Sequence, residues 1–149
     1  MLVTRAKQFV GEKYVRTGWV QQRLEDCRFA AVEMYDTSVK DCEYIDCKFS
    51  SVNWRDSSFK HTTFRNCIFD KVDMSGCEFL SCKFIDCDWR DISLSQSHVG
   101  VKKLDLTGTK FGIVAGVEAL AGNTLTFEQA IALLPRLLAE KEIKLAEES

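Results

Sequence analysis

Large apolar residues recur at every fifth position over most of this chain. From Leu24 the series runs Phe29, Met34, Val39, Tyr44, Phe49, Trp54, Phe59, Phe64, Phe69, Met74, Phe79, Phe84, Trp89, Leu94 and Val99. Two places before each lies a second series: Gln22, Cys27, Val32, Thr37, Cys42, Cys47, Val52, Ser57, Thr62, Cys67, Val72, Cys77, Cys82, Cys87, Ile92 and Ser97. After the first, these are all small or β-branched. The other three places in each pentad are mostly polar or charged. A helix has 3.6 residues per turn and a strand alternates with period two, so neither keeps one face apolar at a period of five. A chain that turns a corner every five residues does. Each short wall then sends two side chains inward, one large and one small.

A longer period lies on top of this one. Cys27, Cys47, Cys67 and Cys87 are 20 residues apart, as are Phe29, Phe49, Phe69 and Trp89. Val32, Val52, Val72 and Ile92 form a third such column. Four pentads therefore make one coil, and sixteen make four coils that stack like upon like. With parallel layers about 4.8 Å apart, the regular part is a rod about 19 Å tall. The pattern predicts an all-β solenoid whose coils touch only their neighbours.

The pentads, each with a small residue two places before a central Phe or Leu, resemble the pentapeptide-repeat family over roughly residues 17–113. The resemblance implies a right-handed quadrilateral β-helix, in keeping with the usual hand of parallel crossovers. This chain departs from the family pattern by using Cys heavily where Ala is usual, and Phe more than Leu at the centre.

The ends follow other rules. After Val99 the next good pairs are Leu104 with Leu106 and Thr109 with Phe111, a shift of two residues that places a bulge or loop in Gly100-Val101-Lys102-Lys103. Upstream, Phe9, Tyr14 and Trp19 keep the phase, but Lys7 and Glu12 are too long and charged for the inner small site. The sequence thus divides into an N-terminal cap over 1–16, the β-helix over 17–113, and a C-terminal loop and α-helical cap or dimerisation segment over 114–149. In the last part, Thr126 and Gln129 read as a capping box. Ala130, Ile131, Leu133, Leu134, Leu137 and Leu138 then form an apolar helical face, with Pro135 expected to kink or split the helix. This helix suits an end cap. It also suits a homodimer seam through Ile131, Leu134, Leu137 and Leu138, which resembles the C-terminal helices of the quinolone-resistance and gyrase-inhibiting branch of the family.

Charge changes the picture little. Lys and Arg total 20 against 22 Asp and Glu, so no strong field favours direct contact with nucleic acid or an anionic membrane. The chain shows neither a signal-peptide core nor a window of membrane-spanning length, and a cytoplasmic location is expected. The seven cysteines all fall in the small inner register, where a free thiol acts as a small hydrophobe. That register argues against disulfides and against zinc, whose ligand pairs stand two to four residues apart. His61 and His98 point outward without a partnered nucleophile. No phosphate loop or dinucleotide fingerprint is present. The expectation is a protein without catalytic residues, metal or cofactor. Asp26, Asp46, Asn66 and Asp86 share a corner column, where such side chains favour turns.

What remains is surface. One wall carries Glu33, Asp36, Asp56 and Asp73 against Arg55, with Tyr35 beside them. The opposing-charge wall bears Arg28, Lys48, Lys71 and Arg90 with Asp70, Asp88 and Asp91. Outward apolar residues are few: Tyr35, Ile45, Ile68, Leu80 and Ile85, of which Ile45 and Ile85 share a column. The expected function is a non-catalytic protein-interaction scaffold, with Glu33, Tyr35, Asp36, Asp56, Asp73, Ile45 and Ile85 as candidate contact residues. The family resemblance implies an alternative, a DNA mimic that binds DNA gyrase or a related topoisomerase. A 19 Å length of duplex carries about eleven negative charges, and the acidic wall falls well short of that.

Overall fold

The computed structural model describes residues 1–101 and 103–146. Lys102, within the expected bulge, and residues 147–149 of the C-terminal segment lie outside the described residues. The chain winds as a right-handed quadrilateral β-helix of parallel strands. Three walls are regular sheets. The first stacks Leu2–Arg5, Gln22–Glu25, Glu43–Ile45, Thr63–Arg65 and Lys83–Ile85. The second is six-stranded and runs from Gln8–Val10 up to Lys110–Ala115. On the fourth, Gly18–Val20, Ser38–Lys40, Ser58–Lys60, Glu78–Leu80 and His98–Val99 are stacked. The third wall is looser, held by bridges such as Lys13 to Glu33 and Glu33 to Asn53 and by strands that continue round the corner from the second.

Cα partners along the walls are 20 residues apart, Phe29 with Phe49 and Phe64 with Phe84 among them. Above the insertion the offset becomes 22, with Asp88 opposite Lys110 and Trp89 opposite Phe111. The two-residue shift read from the sequence is thus present, and the extra chain leaves the stacking above it intact.

Every large inward position from Leu24 to Leu94 is buried, and Val99 is partly so. The columns form aromatic ladders: Phe9 on Phe29 at 4.4 Å between ring centroids, Phe29 on Phe49 at 5.0 Å and Tyr44 on Phe64 at 4.9 Å. Such offset stacks add to the burial of apolar area. The corners are equally regular. Each fifth residue from Ala6 to Gln96, Asp91 excepted, has a left-handed backbone, with Asp26 at φ 52° and Asp46 at φ 55°. Asn and Asp tolerate that conformation better than other side chains. This is why the corner column holds Asp26, Asp46, Asn66 and Asp86, and the Asn66 amide also donates to Asp46 at 2.7 Å.

Two expectations about the ends change. The N-terminal cap expected over 1–16 is a coil of the solenoid itself: Leu2–Arg5 pairs with the strand at Gln22–Glu25, and Gln8–Val10 pairs with Arg28–Ala30. Lys7 and Glu12 fit because no coil lies beneath them. The solenoid therefore has six coils on its longest wall, not the four counted from the regular pentads, and about 24 Å separates the first layer from the last. It also runs to Ala115 rather than stopping at 113. After a short 3-10 turn at Val117–Leu120 comes a single helix, α1 (Phe127–Glu140). Pro135 neither splits nor ends it. Ile131 and Pro135 both lie on the exposed side, where water can serve the carbonyl that Pro135 leaves without a donor.

Candidate functional site

The inner small sites show why thiols occupy them. Each Sγ donates to a carbonyl in the coil below, 23 residues back: Cys47 to Leu24 at 3.4 Å, Cys67 to Tyr44 at 3.3 Å, Cys77 to Trp54 at 3.0 Å. Ser57 to Met34 and Ser97 to Met74 do the same with hydroxyls, at 3.2 Å and 2.6 Å. All seven cysteines are free and buried. Burial pushes the Cys77 thiol up to about 12 and raises Cys27, Cys42 and Cys82. In the stacked column burial also holds Cys67 well up, while its hydrogen bonds to Cys47 and Cys87 pull those two down. Among the described residues no group of three or more metal-ligating side chains is placed to hold an ion. No described helix is long and apolar enough to cross a membrane.

The walls place the candidate surface residues on two opposite sides. Glu33, Tyr35, Asp36, Asp56 and Asp73 come together on the third wall, whereas Ile45 and Ile85 stand on the first and are half-buried. On the third wall the acids are engaged with their own neighbours. Glu33 accepts from the Asn53 amide at 2.9 Å, Asp73 accepts from the backbone N–H of Ser75 at 2.9 Å, and Arg55 stands 3.7 Å from Asp73. The first coil adds Lys13 and Arg16 to this wall, with Arg16 3.3 Å from Asp36. Four acids then face three bases, so the net of minus three counted without the first coil falls to minus one. On the first wall Glu25 lies between two guanidinium groups, Arg5 and Arg23, each at 2.7 Å. The Arg5 hydrogen bond is the main reason its carboxyl sits below the usual range.

The C-terminal end is built by α1. Thr126 and Gln129 form the capping box as expected: the Gln129 N–H donates to Thr126 Oγ1 at 3.1 Å and the Thr126 N–H donates to Gln129 Oε1 at 2.9 Å. What the sequence did not reveal is the second task of Gln129. Its buried Nε2 donates to the carbonyls of Leu106 and Thr109, at 2.9 and 2.8 Å, and Asn123 Nδ2 donates to Leu104 at 2.8 Å. These amides supply donors that a further coil would otherwise provide. The only cue was a polar residue on the helical face that also bears Leu133. The apolar face is accordingly divided: Leu133 is buried against the solenoid, while Ile131 is 50%, Leu134 43% and Leu137 37% exposed. Leu138 is half-buried, and Phe127 stands 80% exposed beyond them.

The family model described as a pentapeptide repeat region matches residues 37–115. Among solved structures, the pentapeptide repeat protein Rfr23 from the cyanobacterium Cyanothece 51142 superposes with a TM-score of 0.59 at 7% identity, over 76% of this chain and 86% of that one. QnrB1, a plasmid-mediated fluoroquinolone resistance protein, gives a TM-score of 0.39 at 16% identity, covering 97% of this chain and all of the other. HetL, a pentapeptide repeat protein involved in heterocyst differentiation regulation from the cyanobacterium Nostoc, gives 0.42 at 6% identity, over 76% and 86%. At 7% identity the likeness to Rfr23 is one of fold. No curated protein matches the chain.

Proposed function

This chain belongs to the pentapeptide-repeat family, and on that premise we propose that it is a non-catalytic, cytoplasmic protein-interaction scaffold that self-associates through the outer face of α1. The observation that carries this reading is the divided helix. Gln129 and Leu133 close the solenoid, and Ile131, Leu134 and Leu137 on the other side meet solvent. Apolar side chains exposed in a row on one helix mark an interaction face more than a solvated one. A second copy is the partner in this reading, because a two-fold axis matches such a face to itself. The stacked walls then form a stiff spacer whose third and first walls, at Tyr35 and at Ile45 with Ile85, offer further contact points.

The test is sedimentation of the chain and of its Ile131→Glu, Leu134→Glu variant. The expected result is a dimer that falls to a monomer without loss of β-sheet circular dichroism. An unchanged mass for the variant would sink the seam.

A further inference from the structure

The rod's two ends are finished differently. At the C-terminal end, Gln129 and Asn123 engage the last coil's carbonyls. At the N-terminal end, Leu2–Arg5, Gln8–Val10 and Gly18–Val20 are each the last strand of their sheet, paired on one side only. Unpaired strand edges are templates for another chain. The rim of this end is apolar as well: Val3, Val10 and Val20 are 41%, 59% and 54% exposed on three different walls. One coil further on, the same places hold Arg23, Ala30 and Lys40. The outline of the edge selects the partner. A lone peptide or flat sheet can pair with one wall, whereas the same end of a second copy offers strands on all three.

Within this rim the inner small sites hold Leu2, Lys7, Glu12 and Thr17, where the next coil has Gln22, Cys27, Val32 and Thr37. Lys7 and Glu12 are the charged residues in the inner register. Lys7 Nζ sits 4.7 Å from the centroid of the Phe9 ring, a cation–π contact. The Tyr14 hydroxyl donates to the Glu12 carboxylate, and Trp19 Nε1 donates to Thr17 Oγ1 at 3.2 Å. Phe9 and Trp19 are buried by these neighbours although no coil lies beneath.

We propose that Lys7 and Glu12 keep the N-terminal edge from pairing with the N-terminal edge of a second copy. End-to-end stacking would strip water from an ammonium lying over the Phe9 ring and from a carboxylate held by the Tyr14 hydroxyl. Burying such groups costs more than imperfect pairing across the joint returns. Without the charges, the valine rim and the open strand edges favour the joint.

The test replaces Lys7→Thr and Glu12→Val, residue types that fill the inner sites of later coils. The chain also carries Ile131→Glu and Leu134→Glu, so that α1 cannot contribute. Before the first pair of substitutions it should sediment as a monomer. After them, mass should rise with concentration toward twice that value, and adding Val20→Lys, the residue type one coil above, should reverse the rise. A natively folded variant that stays monomeric at every concentration overturns the proposal. So does an end-joined dimer already present before the substitutions. If the Thr and Val variant does not fold, Lys7→Gln with Glu12→Gln keeps side-chain length, removes the charges, and faces the same two outcomes.

Discussion

At the scale of single residues, the inner small site can do two jobs at once. It must be small enough for consecutive walls to meet, as Val32, Val52, Val72 and Ile92 are, and where it holds Cys or Ser it also offers a donor to a carbonyl one coil below. Cys77 meets both, with Ser57 and Ser97 above and below it in the same column. Its thiol, pushed up to about 12 by burial, titrates near 8.5 in an unfolded chain. The folded pKa is the higher one, so the stability it brings is complete below about pH 8.5 and is lost as pH rises toward 12. The loss is about 1.4 kcal/mol per pH unit within that window. Cys77→Ser should therefore leave stability at pH 7 within about 1 kcal/mol of the parent and flatten the fall above pH 9. Guanidinium denaturation at pH 7 and at pH 10.5 measures both. An equally steep alkaline fall in the variant would show that this thiol is not the group responsible.

At the scale of elements, the five-residue walls were legible because two inward side chains recur with a fixed spacing, and so was the capping box at Thr126 and Gln129. The first coil was not. Lys7 and Glu12 break the small-residue rule, and only the absence of a layer beneath them makes their length acceptable. The continuity of α1 through Pro135 was hidden for a similar reason, since it depends on which side of the helix faces water. Gln129 gives the sharpest element-scale prediction. Gln129→Leu removes donors from two carbonyls, at Leu106 and Thr109, and one half of the capping box. Each stranded buried acceptor costs about 1–3 kcal/mol, so a loss of about 2–6 kcal/mol is expected, read by denaturant melts. Limited proteolysis should first cut between Ala121 and Lys141, where the helix comes away from the last coil. Stability equal to the parent would mean that water serves those carbonyls.

At the scale of the molecule, charge and length decide what the rod can resemble. Six layers span about 24 Å, a length over which duplex DNA carries about fourteen negative charges. The third wall, once Lys13 and Arg16 of the first coil are included, carries a net of minus one, and its acids are bonded to neighbours. A DNA-like field of that kind is absent from this wall. Purified protein should accordingly leave DNA supercoiling by gyrase unchanged at micromolar concentration, with or without a quinolone. Inhibition or protection there would show that shape alone can recruit the enzyme.

The sequence by itself determined the coil: a small residue, then a large one two places on, repeated every five and stacked every 20, because inward packing and corner backbone are local demands that each pentad must meet. It determined the packing role of the cysteines for the same reason. Only the tertiary structure decided the ends. Whether Lys7 is tolerable, which side of α1 is buried, and where Gln129 sends its amide all depend on which layers lie above and below, and a residue's own pentad carries no record of that.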